Sequence, residues 1–244
     1  MKTNSNTYTI LYAAIMVVVV AFLLAFVSSA LRDTQDKNVE LDKKKQILAS
    51  LNIRGIDNEK VEAKYAEVVE ADMIIKADGS VVNDGKDKDK AAFRLANNDI
   101  SSASLPVYRC RVDGELKYVI PMTGRGLWGG LWGYISVNSD MNTIYGAYFS
   151  HESETAGLGA LIAEQKFQEL FRGKTIFTAG DSAEVALTVV KNGKVETGKE
   201  SYQVDGITGA TLTSNGVADM LRDGLGQYVT FLNQERSRNT KCAK

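Results

Sequence analysis

The sequence predicts an α+β protein: a single N-terminal transmembrane helix followed by a mainly antiparallel sheet domain with flanking helices. Three observations point there. Ile10 to Ala30 is a 21-residue stretch without a charged side chain, the length needed to cross a bilayer core. Beyond it, Asp78-Gly79 separates two short apolar runs, and Asp113-Gly114 and Asn192-Gly193 each join two strand-like segments; such pairs are strong hairpin signals. Near the end, Val217, Met220, Leu221, Leu225, Tyr228 and Leu232 recur at helical spacing. Strands joined by tight turns, rather than alternating strand and helix units, give an antiparallel sheet.

Taken in order, the chain divides into a tail over residues 1–9, a membrane helix over 10–31, a stalk over 32–56 and a folded domain over 57–244. A cleaved secretory signal competes for the first stretch, and Ser28-Ser29-Ala30 resembles a weak cleavage site. The apolar run is longer than a usual signal core, however, and only Lys2 supplies side-chain charge before it. Val39 to Ile53 reads as a helical stalk with Val39, Ile47, Leu48 and Leu51 on an irregular apolar side, and Val61, Tyr65, Val68 and Val69 suggest a second helix.

Hairpins then follow. Val107–Val112 pairs with Glu115–Ile120 across Asp113-Gly114, and Leu131–Val137 with Thr143–Phe149 around Asp140-Met141-Asn142. Val185–Lys191 pairs with Lys194–Glu196 across Asn192-Gly193. A helix from about Gly159 to Arg172, closed by Gly173, separates these strands from the last helix, whose start Thr213 or Ser214 is suited to cap. Lys86-Asp87-Lys88-Asp89-Lys90 reads as a solvated loop.

Composition excludes several classes. With 29 basic and 30 acidic residues the formal net charge is −1, which offers nucleic acid no global attraction. Cys110 and Cys242 are too few for an ordinary iron–sulfur cluster, and His151 is the only histidine, so no metal site of the usual Cys/His type is expected. An oxidising location would permit a disulfide, but spacing does not show that the two cysteines meet. No nucleophile and base constellation is evident, and no catalytic residue is assigned.

The chemistry-bearing stretch is Asp205-Gly206-Ile207-Thr208-Gly209-Ala210-Thr211. It presents the Thr211 hydroxyl among small residues just before a helix, where backbone N–H groups and the helix dipole favour an anion such as phosphate. On the short string alone the same residues are also an ordinary loop and N-cap. The pattern, followed by Leu212-Thr213-Ser214, resembles the flavinylation motif of FMN-binding domains in sodium-translocating NADH:quinone oxidoreductases. Over nearly the whole chain the sequence resembles the C subunit of those complexes.

The resemblance implies covalently bound FMN, moved from FAD by a flavin transferase onto Thr211 as a phosphoester, with Asp205, Thr208, Gly209, Ala210 and Thr213 supporting the attachment. It implies a single-pass protein of the bacterial inner membrane whose C-terminal domain is periplasmic. It further implies an electron relay from NADH towards ubiquinone, working with the other subunits of the complex and coupled there to sodium export. Flanking charge pulls the other way: Arg32, Lys37, Lys43, Lys44 and Lys45 outnumber Lys2, which taken literally keeps the domain cytoplasmic.

Two more segments carry the likeness. Gly124-Arg125-Gly126-Leu127-Trp128-Gly129 matches a dinucleotide fingerprint in letters only, because a strand-like run rather than a helix follows. It is similar to the family's Gly-Leu-Trp segment, which implies Trp128 beside the flavin, although burial away from it is a comparable reading. His151-Glu152-Ser153-Glu154-Thr155-Ala156-Gly157-Leu158-Gly159 is similar to the family's Glu-Thr-Pro-Gly-Leu-Gly loop, with Ala156 in place of proline. Thr155, Gly157, Leu158 and Gly159 are then flavin-binding candidates, and an ordinary helix entry is the alternative. His151 and Glu152 are surface charges with no catalytic assignment. Two other functions stay open: the equivalent G subunit of the related Rnf complex, and a non-redox extracytoplasmic FMN-binding or sensory module.

Overall fold

The computed structural model describes residues 6–85, 91–95 and 99–242. The charged run at 86–90 and Lys2 lie outside the described residues. The chain forms two units, Met1–Lys43 and Lys44–Lys244. In the first, helix α1 (Asn6–Ser50) carries the uncharged stretch, with side chains such as Phe22, Leu24 and Phe26 exposed; it is long and apolar enough to cross a membrane. Val39 is exposed as well, so it adds nothing to an apolar stalk face.

The second unit takes in the last turns of α1, where Ile47, Leu48, Ala49 and Leu51 are buried. Helix α2 (Asn58–Val68) follows and runs directly into β1 (Val69–Ile75), so Val69 opens a strand rather than closing the helix. Next come β2 (Val81–Asn83), the short α3 (Ala91–Arg94), β3 (Leu105–Val112), β4 (Glu115–Arg125), β5 (Gly130–Asn138) and β6 (Ile144–His151). These strands form a six-stranded antiparallel sheet in the order β2-β1-β3-β4-β5-β6.

The hairpins at Asp78-Gly79 and Asp113-Gly114 lie where the sequence puts them. Asp113 and Gly114 both have positive φ, 51° and 81°, as a two-residue hairpin turn requires. The pair around Asp140-Met141-Asn142 is also present, with the Asp140 carboxylate accepting from the Asn142 and Thr143 N–H groups.

Alternation along β5 gives the sheet two covered faces. Leu131, Ile135 and Val137 join the main core with Met122, Phe149, Phe171, Met220, Leu221 and Leu225. Trp132 and Ser136 point the other way, donating to the Gln46 side chain (3.0 Å) and the Ser50 carbonyl (2.6 Å) at the end of α1. Strand β6 is a sheet edge, and its carbonyls accept from Asn52, Arg54 and Gln168 side chains at Tyr145, Ala147 and Phe149. Those bonds blunt an edge that would otherwise template further pairing.

Three expectations are corrected. The stretch from Gly159 to Arg172 is a 3₁₀ turn (Gly159–Ala163), a single α turn α4 (Gln165–Gln168) and a second 3₁₀ turn (Glu169–Phe171). Ile162 and Phe167 both reach the core although five residues apart, a spacing no single helix face offers, and the extended backbone at Glu164 (ψ 142°) resolves the conflict. Gly173, with φ 77°, does close the segment.

No hairpin forms at Asn192-Gly193. Strand β7 (Thr188–Val190) instead pairs in parallel with β8 (Gln203–Asp205), because that register buries Val189 and Val204 together. The last helix is two: α5 (Thr211–Gly226) and α6 (Val229–Cys242), separated where Tyr228 sends its hydroxyl to the Pro106 carbonyl at 3.1 Å.

Candidate functional site

The site begins with how α5 lies on β4. A Cβ on Gly124 would stand 2.6 Å from Met220 Cβ, one on Gly224 2.9 Å from Met122 Cγ, and one on Gly216 would meet the Arg125 carbonyl oxygen. Gly216, Met220 and Gly224 are four residues apart, hence one stripe of the helix. Helix and strand therefore approach more closely than residues with side chains would allow, and the first turn of α5 is fixed beside the loop that leaves β4 at Arg125.

The turn before α5 explains why Thr211 is presented. The Ala210 N–H donates to the Ile207 carbonyl (3.1 Å), and Gly209 has φ 80°, the third position of a type II-like turn that glycine serves best. The helix starts at Thr211, with Ala210 at the cap position, and Thr211 and Leu212 are exposed. Thr213 and Ser214 are thus not caps, since both lie in the first helical turn. The Ser214 hydroxyl accepts from the Ile207 N–H (3.0 Å), and Thr213 donates to Glu154.

The rest of the motif is stapled to the β7 end. Asp205 accepts from the Gly193 N–H (2.7 Å), the Thr208 hydroxyl accepts from the Asn192 side chain (2.8 Å), and Gly206 N–H donates to the Val190 carbonyl (2.7 Å). The Asn192-Gly193 turn thus supports the motif from the side instead of reversing a hairpin.

Two loops face this helix start. In the first, the Gly126 N–H donates to the Gly129 carbonyl (2.9 Å), leaving Leu127 48% and Trp128 65% exposed. In the second, the Thr155 carbonyl, not its hydroxyl, takes the Leu158 and Ala160 N–H groups, so its side chain does not cap the 3₁₀ turn. Gly157 is at φ 76° with open space around it, Gly159 is buried, and Leu158 is 41% exposed. A Cβ on Gly209 would lie 3.1 Å from Leu158 Cδ2, which places Leu158 over the turn that presents Thr211. Thr155 is exposed beside them.

Exposed Leu127 and Trp128 on one loop, exposed Leu158 on the other, and exposed Thr211 and Leu212 on the first turn of α5 thus lie on segments that meet at Glu154 and at the Gly209 turn. A flat apolar ring carrying a phosphate tail suits this donor set. Apolar side chains cover ring faces, while helix-start N–H groups favour phosphate.

One residue the sequence did not single out ties the surface together. The Glu154 carboxylate is buried, 7% exposed, and accepts from the Trp128 N–H (2.9 Å) and the Thr213 hydroxyl (2.5 Å). Desolvation pushes its pKa up. Hydrogen bonds from Thr213, Trp128 and Leu127, with the nearby His151, outweigh that and hold it below the usual carboxylate value. His151 Nδ1 accepts the Glu154 N–H (3.2 Å). Glu152 accepts from the Gly130 N–H (3.1 Å), so both residues build the loop.

A transmembrane-length helix joined to a sheet domain with this surface defines a membrane-anchored flavin-binding domain. The FMN-binding domain family matches residues 126–226, from the Trp128 loop to the end of α5. The chain is 33% identical to the C subunit of the Na(+)-translocating NADH-quinone reductase of Pseudomonas aeruginosa, covering 92% of this chain and 93% of that one. The crystal structure of the C subunit from Parabacteroides distasonis shares 43% identity and a TM-score of 0.71 over 83% of this chain and 96% of that chain. NqrC from Shewanella oneidensis shares 27% identity and a TM-score of 0.66 over 82% and 99%. The chain belongs to the family of C subunits of the Na(+)-translocating NADH-quinone reductase, which favours that reading over the Rnf subunit and the sensory module.

Proposed function

We propose that this chain carries FMN covalently on Thr211 and serves as a one-electron relay in a membrane NADH:quinone reductase that exports sodium. The observation that carries this is the exposed Thr211 hydroxyl on the first turn of α5, beside exposed Leu158 and Leu212. When bound, FMN supplies the redox chemistry, and the protein holds and shields it.

The first-turn N–H groups of α5 hold the phosphate, Leu158 and Trp128 cover the ring, and Thr155, Gly157 and Gly159 allow the second loop to come close. Asp205, Thr208, Gly209 and Ala210 keep the turn in shape. A flavin transferase has access to Thr211 because neither Gly209 nor Ala210 adds bulk beside it. No side chain is required to move a proton: the Glu154 carboxylate is engaged by N–H and O–H donors, and His151 Nδ1 is engaged by a backbone N–H. The apolar stretch of α1 has no charged residue, so the sodium path belongs to other subunits of the complex.

We propose further that the domain lies on the periplasmic side of the bacterial inner membrane. The opposing charge count includes Lys44, yet that residue is 5% exposed and pairs with Glu62 at 3.0 Å inside the folded unit, so it is part of the domain and not of a flank held by lipid. A reporter fused after Lys244 that works only outside the cytoplasm supports this placement, and one active only inside refutes it. For attachment, the chain is produced with the transferase and run on a denaturing gel. Wild type fluoresces and Thr211→Ala does not; equal fluorescence from both defeats the proposal.

A further inference from the structure

We infer that Glu154 is the positioning residue of this site, joining the Trp128 loop to the first turn of α5 through its two carboxylate oxygens. Oε1 takes the Trp128 N–H at 2.9 Å and Oε2 takes the Thr213 hydroxyl at 2.5 Å. Two glycines make room for it. A Cβ on Gly126 would fall on Oε1, and one on Gly159 would lie 2.5 Å from both Oε2 and Thr213 Oγ1. The carboxylate thus fills the space where the Trp128 loop, the 151–159 loop and α5 converge.

Its worth follows from burial. A buried carboxylate is stable only when its oxygens are matched by donors, and here those donors come from two separate segments. The other ties at this point run elsewhere: the Ser153 hydroxyl donates to the Trp128 carbonyl (2.9 Å) and holds the loop to residues 151–159, Gly216 packs on Arg125 further along α5, and the Ser214 hydroxyl turns back to Ile207, so among the described residues Glu154 carries the side-chain bond from the Trp128 loop to the first turn of α5. Loss of the carboxylate frees the Trp128 loop from the helix that bears Thr211. The role toward FMN rests on the reading that Thr211 carries the cofactor; the joining of the two segments does not.

Two readouts on the full-length chain in detergent separate these claims. The first is amide hydrogen exchange of the peptide spanning residues 126–130 in protein without flavin, and the second is gel fluorescence of flavin after production with the transferase. In Glu154→Ala, exchange of that peptide rises by roughly tenfold or more, as expected for loss of a hydrogen bond to a charged group. Attached flavin falls to about a tenth of wild type or less, the same factor carried into the population of the competent arrangement. In Glu154→Gln both stay near wild type, because the amide oxygen still accepts from Trp128 and its NH₂ donates to Thr213 Oγ1.

If Glu154→Ala does not fold, Thr213→Val removes only the bond to α5, and the inference then requires reduced flavin attachment with the Trp128 amide still protected. Wild-type exchange and loading in the alanine variant, or wild-type loading in the valine variant, overturn the inference, as does a folded glutamine variant as impaired as alanine. Failure of the Thr211 reading looks different: wild type lacks attached flavin or Thr211→Ala keeps it, while the exchange result still decides the role of Glu154.

Discussion

Gly124→Ala tests whether close packing of α5 on β4 sets the site. The new Cβ would lie 2.6 Å from Met220 Cβ and 3.3 Å from Met220 Cα, against an ordinary contact of 3.4–4 Å. Because the clash is with atoms at the root of the side chain, no rotamer change relieves it, and the helix must retreat by nearly an ångström. Overpacking of this kind costs about 1–3 kcal/mol. Replacing a strand glycine by alanine returns only about 0.5–1 kcal/mol through the unfolded chain.

At the middle of both ranges crowding wins by a little over ~1 kcal/mol, equivalent to a fall in thermal midpoint of about 2–5 °C for a domain of this size. Gly226→Ala is the matched control, since a Cβ there meets nothing within 4 Å. Its midpoint should stay level or rise slightly. Circular dichroism melts of the full-length chain in detergent measure both. A Gly124→Ala protein as stable as the control would show that α5 and β4 are not packed as closely as the site requires.

Other expectations follow from the same contacts. Leu221 is fully buried in the core, so Leu221→Ala should cost about 2–5 kcal/mol in denaturant unfolding, and less than about 1 kcal/mol would contradict the core assignment. Stability should fall in acid: Glu154 and Glu70 have folded pKa values below their ordinary 4.5, so the unfolded chain binds more protons there. The contribution is present above about pH 4.5 and lost as pH drops through the folded values. Thermal midpoints between about pH 6 and about pH 3 check this, and Glu154→Gln should narrow the fall. Burial pushes the Cys110 thiol pKa upward, so in a Cys242→Ser background it should react with a thiol reagent only on unfolding; rapid labelling of the native chain would contradict its burial.

Much of the fold was legible because its signals are local. Asp113-Gly114 encodes the positive φ values of its own turn, and the apolar run at 131–137 encodes a strand, which is covered on both faces. What escaped depends on partners distant in sequence. Asn192-Gly193 is a true turn, but whether a hairpin follows depends on Val189 meeting Val204 in parallel, which no local pattern reveals. The break at Glu164 is visible only as the five-residue interval between Ile162 and Phe167, once both are known to be buried.

At the site, the Thr211 turn could be read from Gly209 and Ala210, whereas Glu154 lay inside the family-like loop with no role of its own assigned. Its signal was the pair of distant glycines, Gly126 and Gly159, whose missing side chains leave it space; they become a pair only when the chain folds.

Covalent attachment at Thr211 is tested most directly by the mass of the peptides from this chain made in its native host. The expected result is an FMN-sized adduct confined to the peptide that contains Thr211 and lost in Thr211→Ala. An unmodified Thr211 peptide from protein made with an active transferase, or the adduct on another residue, would contradict it.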